Sequence, residues 1–179
     1  MENFLKLINL YKFHGNSNYF GEDVSKTEHM IQAALAAQNN NESDYIVLAC
    51  LLHDIGHFLE EDNMNGLGVI EHSKLGADYL RKLKIDDKVC DLVENHVMAK
   101  KYLVSKHSDY YNKLSDASKK TLEFQGGRMS DSEMLEFEKR YNFNDILKIR
   151  HYDDIGKDKN LKIPDITSFK NIIMNYLNS

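Results

Sequence analysis

The sequence predicts an all-α fold in a single domain. Only one proline and nine glycines occur in 179 residues, so the residues that most often end helices or form hairpin turns are scarce. Alternation of apolar and polar residues, which is typical of half-buried strands, is also scarce, whereas apolar residues at helical spacing recur along the chain. The length fits one domain with a substantial hydrophobic core, and no repeat or long linker divides it.

The first half of the chain supplies the most buried predicted helix. Residues 3–12 are amphipathic and predict a short helix, and 14–23 predict a loop. Ser25, followed three residues later by Glu28, forms a capping box that opens a helix to about residue 38. Residues 44–53 are apolar almost all round, which predicts a central buried helix. A buried strand is the alternative there, but the sequence offers no neighbouring strand to pair with it.

The second half predicts a series of amphipathic helices after a loop at 56–68. Asp86 is a suitable N-cap, and Ser130 with Glu133 forms a second capping box. A pair of glycines at 126–127 ends the helix that precedes this box. The predicted helices of this half span about 71–83, 86–100, 115–124, 130–141, 144–154 and 166–178.

The charge and the cysteine pattern exclude several classes of protein. The net charge is −5 and no basic block occurs, which argues against nucleic acid as a partner. Cys50 and Cys90 lie in apolar stretches and are expected to be buried free thiols. The N-terminal residues lack a long apolar run, so we expect no signal peptide, no membrane span and a cytoplasmic location.

Histidines indicate a metal site at the centre of this bundle. His53 and Asp54 end the most apolar predicted helix, where buried polar groups are costly unless they are paired. A buried His–Asp hydrogen bond is the simpler interpretation of that pair. However, His29, His72 and His96 lie on three other predicted helices, and facing helices of a bundle build metal sites in this way. Imidazoles and carboxylates without thiolates suit iron, manganese or zinc.

The order of these residues resembles the H…HD…D signature of the HD superfamily, and LLHDIGH at 51–57 is similar to its core element. The resemblance implies a single HD domain over 1–179, strongest over 19–154, with a dinuclear metal site at its centre. In the two-metal subgroup, one ion would bind His29, His53 and Asp153, the other would bind His72 and His96, and Asp54 would bridge them. Asp153 is preferred to the adjacent Asp154 because of its spacing from Arg150.

The segment YFGEDVSKTEH at 19–29 narrows the resemblance further. It resembles the N-terminal motif of the HD-type diiron phosphonate oxygenases, although alone it could be an ordinary turn with an exposed acid. The resemblance implies that Tyr19 is a displaceable iron ligand and that Glu22 pairs with the ammonium group of the substrate. A carboxylate is a natural receptor for an amine.

Two cations predict an anion pocket beside the metal site. Lys100 lies one helical turn after His96, and Arg150 lies one turn before Asp153. Surface exposure is the usual state of either residue, but together they indicate an anion pocket, to which His57 could add a donor. The segment SKKTLEFQGG at 118–127 resembles the family's phosphonate-binding segment, and its polar stripe comprises Ser118, Thr121 and Gln125.

The resemblance implies an oxygenase with two iron ions in a mixed-valent Fe(II)/Fe(III) pair, although other divalent metals would also fit the ligands. It would cleave (R)-2-amino-1-hydroxyethylphosphonate to glycine and phosphate with O₂, and a trimethylammonio substrate stays open. One alternative is a two-metal phosphohydrolase acting on a nucleotide or a small phosphate ester. The other is a non-catalytic module that binds metal or a phosphorylated ligand. Residues 157–179 carry no functional signal and are interpreted as a packing helix and tail, and the oligomeric state is left open.

Overall fold

The fold is that of a computed structural model, which describes residues 1–177. It is all-α, as predicted, and within these residues only two isolated β-bridges occur, with no sheet. No helix of the described part is both long and apolar enough to cross a membrane. The helices are α1 (Glu2–His14), α2 (Lys26–Asn39), α3 (Asp44–Leu52), α4 (His72–Lys82), α5 (Asp87–Lys106), α6 (Ser108–Lys113), α7 (Asp116–Phe124), α8 (Asp131–Glu138), α9 (Phe143–Ile155) and α10 (Lys170–Asn175).

Helix α3 is the centre of the bundle. Every residue from Ile46 to Leu52 is buried, and the helix packs against α2, α5 and α9. The prediction of a central buried helix is therefore confirmed, and the strand alternative is wrong. Because α3 ends at Leu52, the chain turns within the core, and His53 and Asp54 follow immediately with exposures of 0% and 3%.

Side-chain caps fix where α2, α5, α7 and α8 begin. Both predicted capping boxes form; in the first, Ser25 Oγ accepts from the backbone N–H of Glu28 at 3.1 Å, and Glu28 accepts from that of Ser25 at 2.6 Å. Asp86 caps α5 by accepting from the backbone N–H of Lys88. These local bonds explain why the predicted starts agree with the structure to within one or two residues.

The helix ends and the short helices differ from the prediction. Helix α5 continues to Lys106 instead of about 100, since no glycine or proline interrupts it. Helix α6 was not predicted, and its six residues are too few to show a clear apolar period. The C-terminal helix predicted over 166–178 is a 3₁₀ turn, Ile166–Phe169, followed by α10, and residue 178 lies outside the described residues.

Gly56 allows the turn after α3 to lie close to the start of α4. It belongs to the 3₁₀ turn Ile55–Phe58, which follows Asp54 and lies against the first turn of α4. A Cβ atom at Gly56 would lie 1.9 Å from the carbonyl oxygen of His72. The turn can therefore bring Asp54 close to His72 only if residue 56 has no side chain.

Gly56→Ala should lower the free energy of unfolding by at least about 2 kcal/mol, because backbone atoms of α4 would have to move. Gly66→Ala is the matched control. Its φ of +87° disfavours alanine, a cost that Gly56 does not have, but no atom lies within 4 Å of the added Cβ. Denaturant unfolding of both variants measures the difference. Equal losses would show that close packing at Gly56 does not limit the fold.

Candidate metal centre and active site

The four predicted histidine ligands share one hydrogen-bonding pattern: each ring bonds a backbone carbonyl through Nδ1. Since Nδ1 carries the proton, Nε2 of each neutral ring presents a lone pair, as a metal ligand must. All four rings are buried, and their Nε2 atoms face the centre of the bundle. The Nδ1 bonds run from His29 to Gly156 (2.9 Å), His53 to Cys50 (2.8 Å), His72 to Val69 (2.8 Å) and His96 to Val93 (2.7 Å).

These Nε2 atoms meet in pairs. Those of His29 and His53 lie 3.1 Å apart, and those of His72 and His96 lie 3.2 Å apart. Two lone pairs at such a distance repel each other unless a proton or a metal ion is shared between them. The arrangement therefore favours a cation at each pair.

Asp54 lies between the two pairs and faces both. Its Oδ2 is 3.7 Å from His29 Nε2 and 3.5 Å from His53 Nε2. Its Oδ1 is 3.3 Å from His72 Nε2 and 3.4 Å from His96 Nε2. Oδ2 is buried and has no hydrogen-bond partner, which is costly for a carboxylate in the core. A carboxylate that bridges two metal ions has this placement.

The structure distinguishes the two adjacent aspartates at the end of α9. Asp153 Oδ1 lies 3.2 Å from His29 Nε2, and its Oδ2 accepts from Arg150 Nη1 at 2.6 Å. Asp154 faces away from the histidines and accepts from Arg150 and from the hydroxyl of Tyr110. Asp153 is therefore the aspartate that faces the cluster.

The donors fit two metal ions. Their ligand atoms form two groups within 4.8 Å, His29–His53–Asp153 and Asp54–His72–His96. Burial alone would lower the pKa of His53, but Asp54 and Asp153 together raise it to about 10. The two carboxylates therefore favour positive charge at His53, either as a proton on the ring or as an ion bound in place of that proton. Two imidazoles and a carboxylate in each group suit iron, manganese or zinc.

His57 differs from the four ligands in its tautomer. Its Nδ1 accepts the backbone N–H of Val69 at 3.0 Å, so the proton is on Nε2, which lies 4.0 Å from Asp54 Oδ1. Burial holds the pKa of His57 well below its ordinary value, with the charge of His72 adding to the effect. His57 is thus a neutral ring at the edge of the cluster, with its Nε2 proton available for donation.

The loop before α2 covers the cluster. The ring of Tyr19 stacks on that of His29, with centroids 3.9 Å apart, and desolvation followed by the charge of Asp54 raises the pKa of its hydroxyl well above the ordinary value. Gly21 has a φ of +76°, and a Cβ there would lie 3.3 Å from that of Ala117 on α7. Glu22 lies in the same loop, and its carboxylate accepts from Lys157 Nζ at 2.8 Å.

The predicted anion-binding residues line one side of the same cleft. Lys100 is only 4% exposed and donates to Thr121 Oγ1 at 2.9 Å, and burial followed by the charge of Arg150 lowers its pKa to about 7. Arg150 is equally buried, and Gln125 has a buried Oε1 without a hydrogen-bond partner. The cleft is lined by Glu22, Asp54, His57, His72, His96, Lys100, Ser118, Thr121, Gln125, Arg150 and Asp153, among others.

Two polar residues of the site are not predicted from the sequence. Tyr110 lies on the unpredicted helix α6 and accepts from Arg150 Nε at 2.9 Å. Lys157 also lines the cleft, although 157–179 was interpreted as a packing helix and tail. Lys157 follows Asp153 by four residues, the spacing that pointed to Lys100 after His96, but α9 ends at Ile155, so this spacing does not by itself set the direction of the Lys157 side chain.

The HD domain profile matches residues 27–123, more than half of the chain. This chain belongs to the HD-domain family. The predicted membership is confirmed. The histidines and aspartates of the predicted signature lie on or next to α2, α3, α4, α5 and α9, and these helices bring them together.

Named relatives place this HD protein beside phosphonate dioxygenases, which confirms the predicted oxygenase resemblance at the level of the family. It is 37% identical to the [1-hydroxy-2-(trimethylamino)ethyl]phosphonate dioxygenase (glycine-betaine-forming) of Leisingera caerulea, over 89% of this chain and 83% of the relative. It is 38% identical to the hydroxymethylphosphonate dioxygenase of Gimesia maris, over 94% and 85%. An uncharacterised protein of Acanthamoeba polyphaga mimivirus is 40% identical over 99% of this chain and 83% of its own length.

The adjacent aspartates provide a matched test of the metal ligands. Asp153→Asn should reduce the bound iron of anaerobically loaded protein by about one ion per chain, because an amide is a much weaker ligand than a carboxylate. Asp154→Asn should keep the wild-type amount. Elemental analysis after gel filtration measures both. Loss of iron in Asp154→Asn alone would reverse the assignment.

Lys100→Met should stabilise the metal-free protein by about 1 to 3 kcal/mol at pH 7, since it removes a buried cation. The pKa of Lys100 is about 7 in the fold against 10.5 when unperturbed, so between these values the unfolded state binds more protons. The contribution of Lys100 to stability therefore rises with pH across this window, and the variant should lack that rise. Denaturant unfolding of the wild-type protein and of Lys100→Met at several pH values measures this. The same pH dependence of the free energy of unfolding in both would contradict the prediction.

Proposed function

We propose that this protein is a diiron oxygenase that cleaves the C–P bond of a 1-hydroxyphosphonate, with (R)-2-amino-1-hydroxyethylphosphonate as substrate. The products would be glycine and phosphate. One molecule of O₂ is reduced while the carbon next to phosphorus is oxidised to a carboxylate, and one proton is released. Both named relatives act on phosphonates that bear a hydroxyl group, according to their names, which supports this head group.

One observation carries the proposal: a single cleft combines the two ligand groups with buried cations and an acid. Lys100 and Arg150 lie in this cleft beside Asp54 and Asp153, and Glu22 lines it as well. Lys100 is 4% exposed and, within the described residues, its ammonium donates only to Thr121, so its charge is costly and a bound dianion would offset that cost. A substrate with a phosphonate and an ammonium group matches both kinds of charge.

The residues of the chain have separate tasks in this proposal. Lys100 and Arg150 neutralise the phosphonate, and the hydroxyl and amide groups of Ser118, Thr121 and Gln125 orient its oxygens, with His57 as a further donor. Tyr19 covers the cluster from above His29 and moves aside when the substrate enters. Glu22 binds the ammonium group, which fixes the orientation of the substrate.

The proposed metal ligands are those of the two groups described above. When bound by them, a mixed-valent Fe(II)/Fe(III) pair supplies the activation of dioxygen, and the protein supplies position, charge and exclusion of water. Arg150 Nη1 donates a hydrogen bond of 2.6 Å to Asp153, so the position of a proposed metal ligand depends on a residue that binds the phosphonate. Displacement of Arg150 would disturb both.

The test is oxygen-dependent phosphate release. Protein loaded anaerobically with Fe(II) is mixed with (R)-2-amino-1-hydroxyethylphosphonate, oxygen is admitted, and phosphate and glycine are measured. We expect both products in equal amounts and only with oxygen. Phosphate release at the same rate without oxygen, or turnover of phosphate esters alone, would instead identify a two-metal phosphohydrolase.

Glu22→Gln tests the amine receptor. It should raise the KM for the amino substrate at least about tenfold, because a charged partner becomes neutral, and leave iron binding unchanged. Asp23→Asn is the control, since Asp23 is the neighbouring acid and its side chain is 78% exposed. Steady-state kinetics and iron analysis measure both effects. Loss of iron in Glu22→Gln would show that Glu22 supports the metal centre instead.

A further inference from the structure

Lys157 provides an ammonium group inside the cleft. Its side chain is 17% exposed, and Nζ lies 2.8 Å from Glu22 Oε1 and 3.4 Å from the hydroxyl oxygens of both Ser115 and Ser118. Nζ is also 5.9 Å from the centre of the Tyr19 ring. The acid proposed to receive the amine of the substrate is therefore already paired with a cation of the protein.

The backbone beside Lys157 is anchored. The next residue, Asp158, exchanges two hydrogen bonds with the side chain of Gln32 on α2, at 2.9 Å and 2.8 Å. Gly156 on the other side accepts from His29 Nδ1. The Lys157 side chain thus reaches the cleft from a fixed base, and its ammonium lies within reach of Glu22 and of both serine hydroxyls at once.

A second lysine–carboxylate pair nearby shows how the Glu22–Lys157 pair differs from an ordinary surface ion pair. Lys159 and Asp23 form an ion pair of 3.0 Å in the same two segments, but their side chains are 61% and 78% exposed. An exposed pair of this kind contributes little to the free energy, because water screens it. The Glu22–Lys157 pair is largely shielded and lines the cleft, so breaking it affects what the cleft can bind.

We infer that Lys157 is a specificity-determining residue that disfavours hydroxyphosphonates with a cationic tail relative to those without one. This inference rests on the proposed function. A hydroxyphosphonate without a tail, such as hydroxymethylphosphonate, leaves the Glu22–Lys157 pair intact. An ammonium tail must displace Lys157 from Glu22, and two cations then share the space around one carboxylate, which is unfavourable.

The test compares two substrates in two matched variants. Lys157→Met removes the charge and keeps the length of the side chain, and Lys159→Met does the same at the exposed pair. Dissociation constants are measured by calorimetry under anaerobic conditions, so that binding is separated from turnover, and kcat and KM are then measured with oxygen. The substrates are (R)-2-amino-1-hydroxyethylphosphonate and hydroxymethylphosphonate.

Lys157→Met should tighten binding of the amino substrate and lower its KM by roughly three- to tenfold, and should give hydroxymethylphosphonate no gain. Lys159→Met should change neither substrate. In a Glu22→Gln background, Lys157→Met should no longer favour the amino substrate, because the carboxylate for which the two cations compete is absent. Persistence of the gain in that background would overturn the inference, since Lys157 would then act through general charge.

Equal changes for both substrates in Lys157→Met, or weaker binding of the amino substrate, would overturn the inference and leave the proposed function standing. If the wild-type protein binds and converts neither compound, the proposed function fails, and the role assigned to Lys157 fails with it. The two failures are distinguished by the wild-type measurement alone.

Discussion

The placement of Asp54 among four imidazole nitrogens is the constraint on which the rest of the structure depends. A buried carboxylate without a hydrogen-bond partner on Oδ2 is unfavourable by itself. In each histidine pair, two Nε2 lone pairs that face each other at about 3 Å are unfavourable as well. Bound cations resolve both problems at once. The bundle must therefore hold α2, α3, α4 and α5 at distances at which these atoms meet, and the apolar sequence of α3 provides the core against which the others pack.

The charged side chains that line the cleft are arranged around the same cluster of histidines and aspartates. The carboxylates at the cluster carry negative charge that bound metal ions would neutralise, and the cations Lys100 and Arg150 line the same cleft. Arg150 uses its three donor nitrogens on Asp153, Asp154 and Tyr110, so it is held rigidly and can orient an anion without being reordered. Lys100 has a single bond, to Thr121, and is the more adaptable of the two cations.

Local signals in the sequence predicted much of this arrangement. Capping boxes and apolar periods gave helix starts correctly, and the spacing of one helical turn led from His96 to Lys100. Contacts between segments that are far apart in the sequence have no such local signal. Helix α6 is too short for a period to be visible, so Tyr110 was missed, and Lys157 lies beyond the end of α9, where helical spacing no longer predicts direction. The pairing of Glu22 with Lys157 joins residues 135 positions apart and depends on how α9 docks on α2.

The hydrogen bonds from the histidine rings also have a consequence for the order of assembly. His53, His72 and His96 each bond the carbonyl three residues earlier, so their orientation is set by a single turn of the chain. His29 instead bonds Gly156, 127 residues away, and its neighbour Asp153 is delivered by the same helix. The histidine pair of α4 and α5 can thus be oriented early, whereas the other half of the centre requires a long-range closure that is slow to form. The ligand group of His29, His53 and Asp153 is therefore complete only when α9 is docked, so metal binding at this group would depend on that docking.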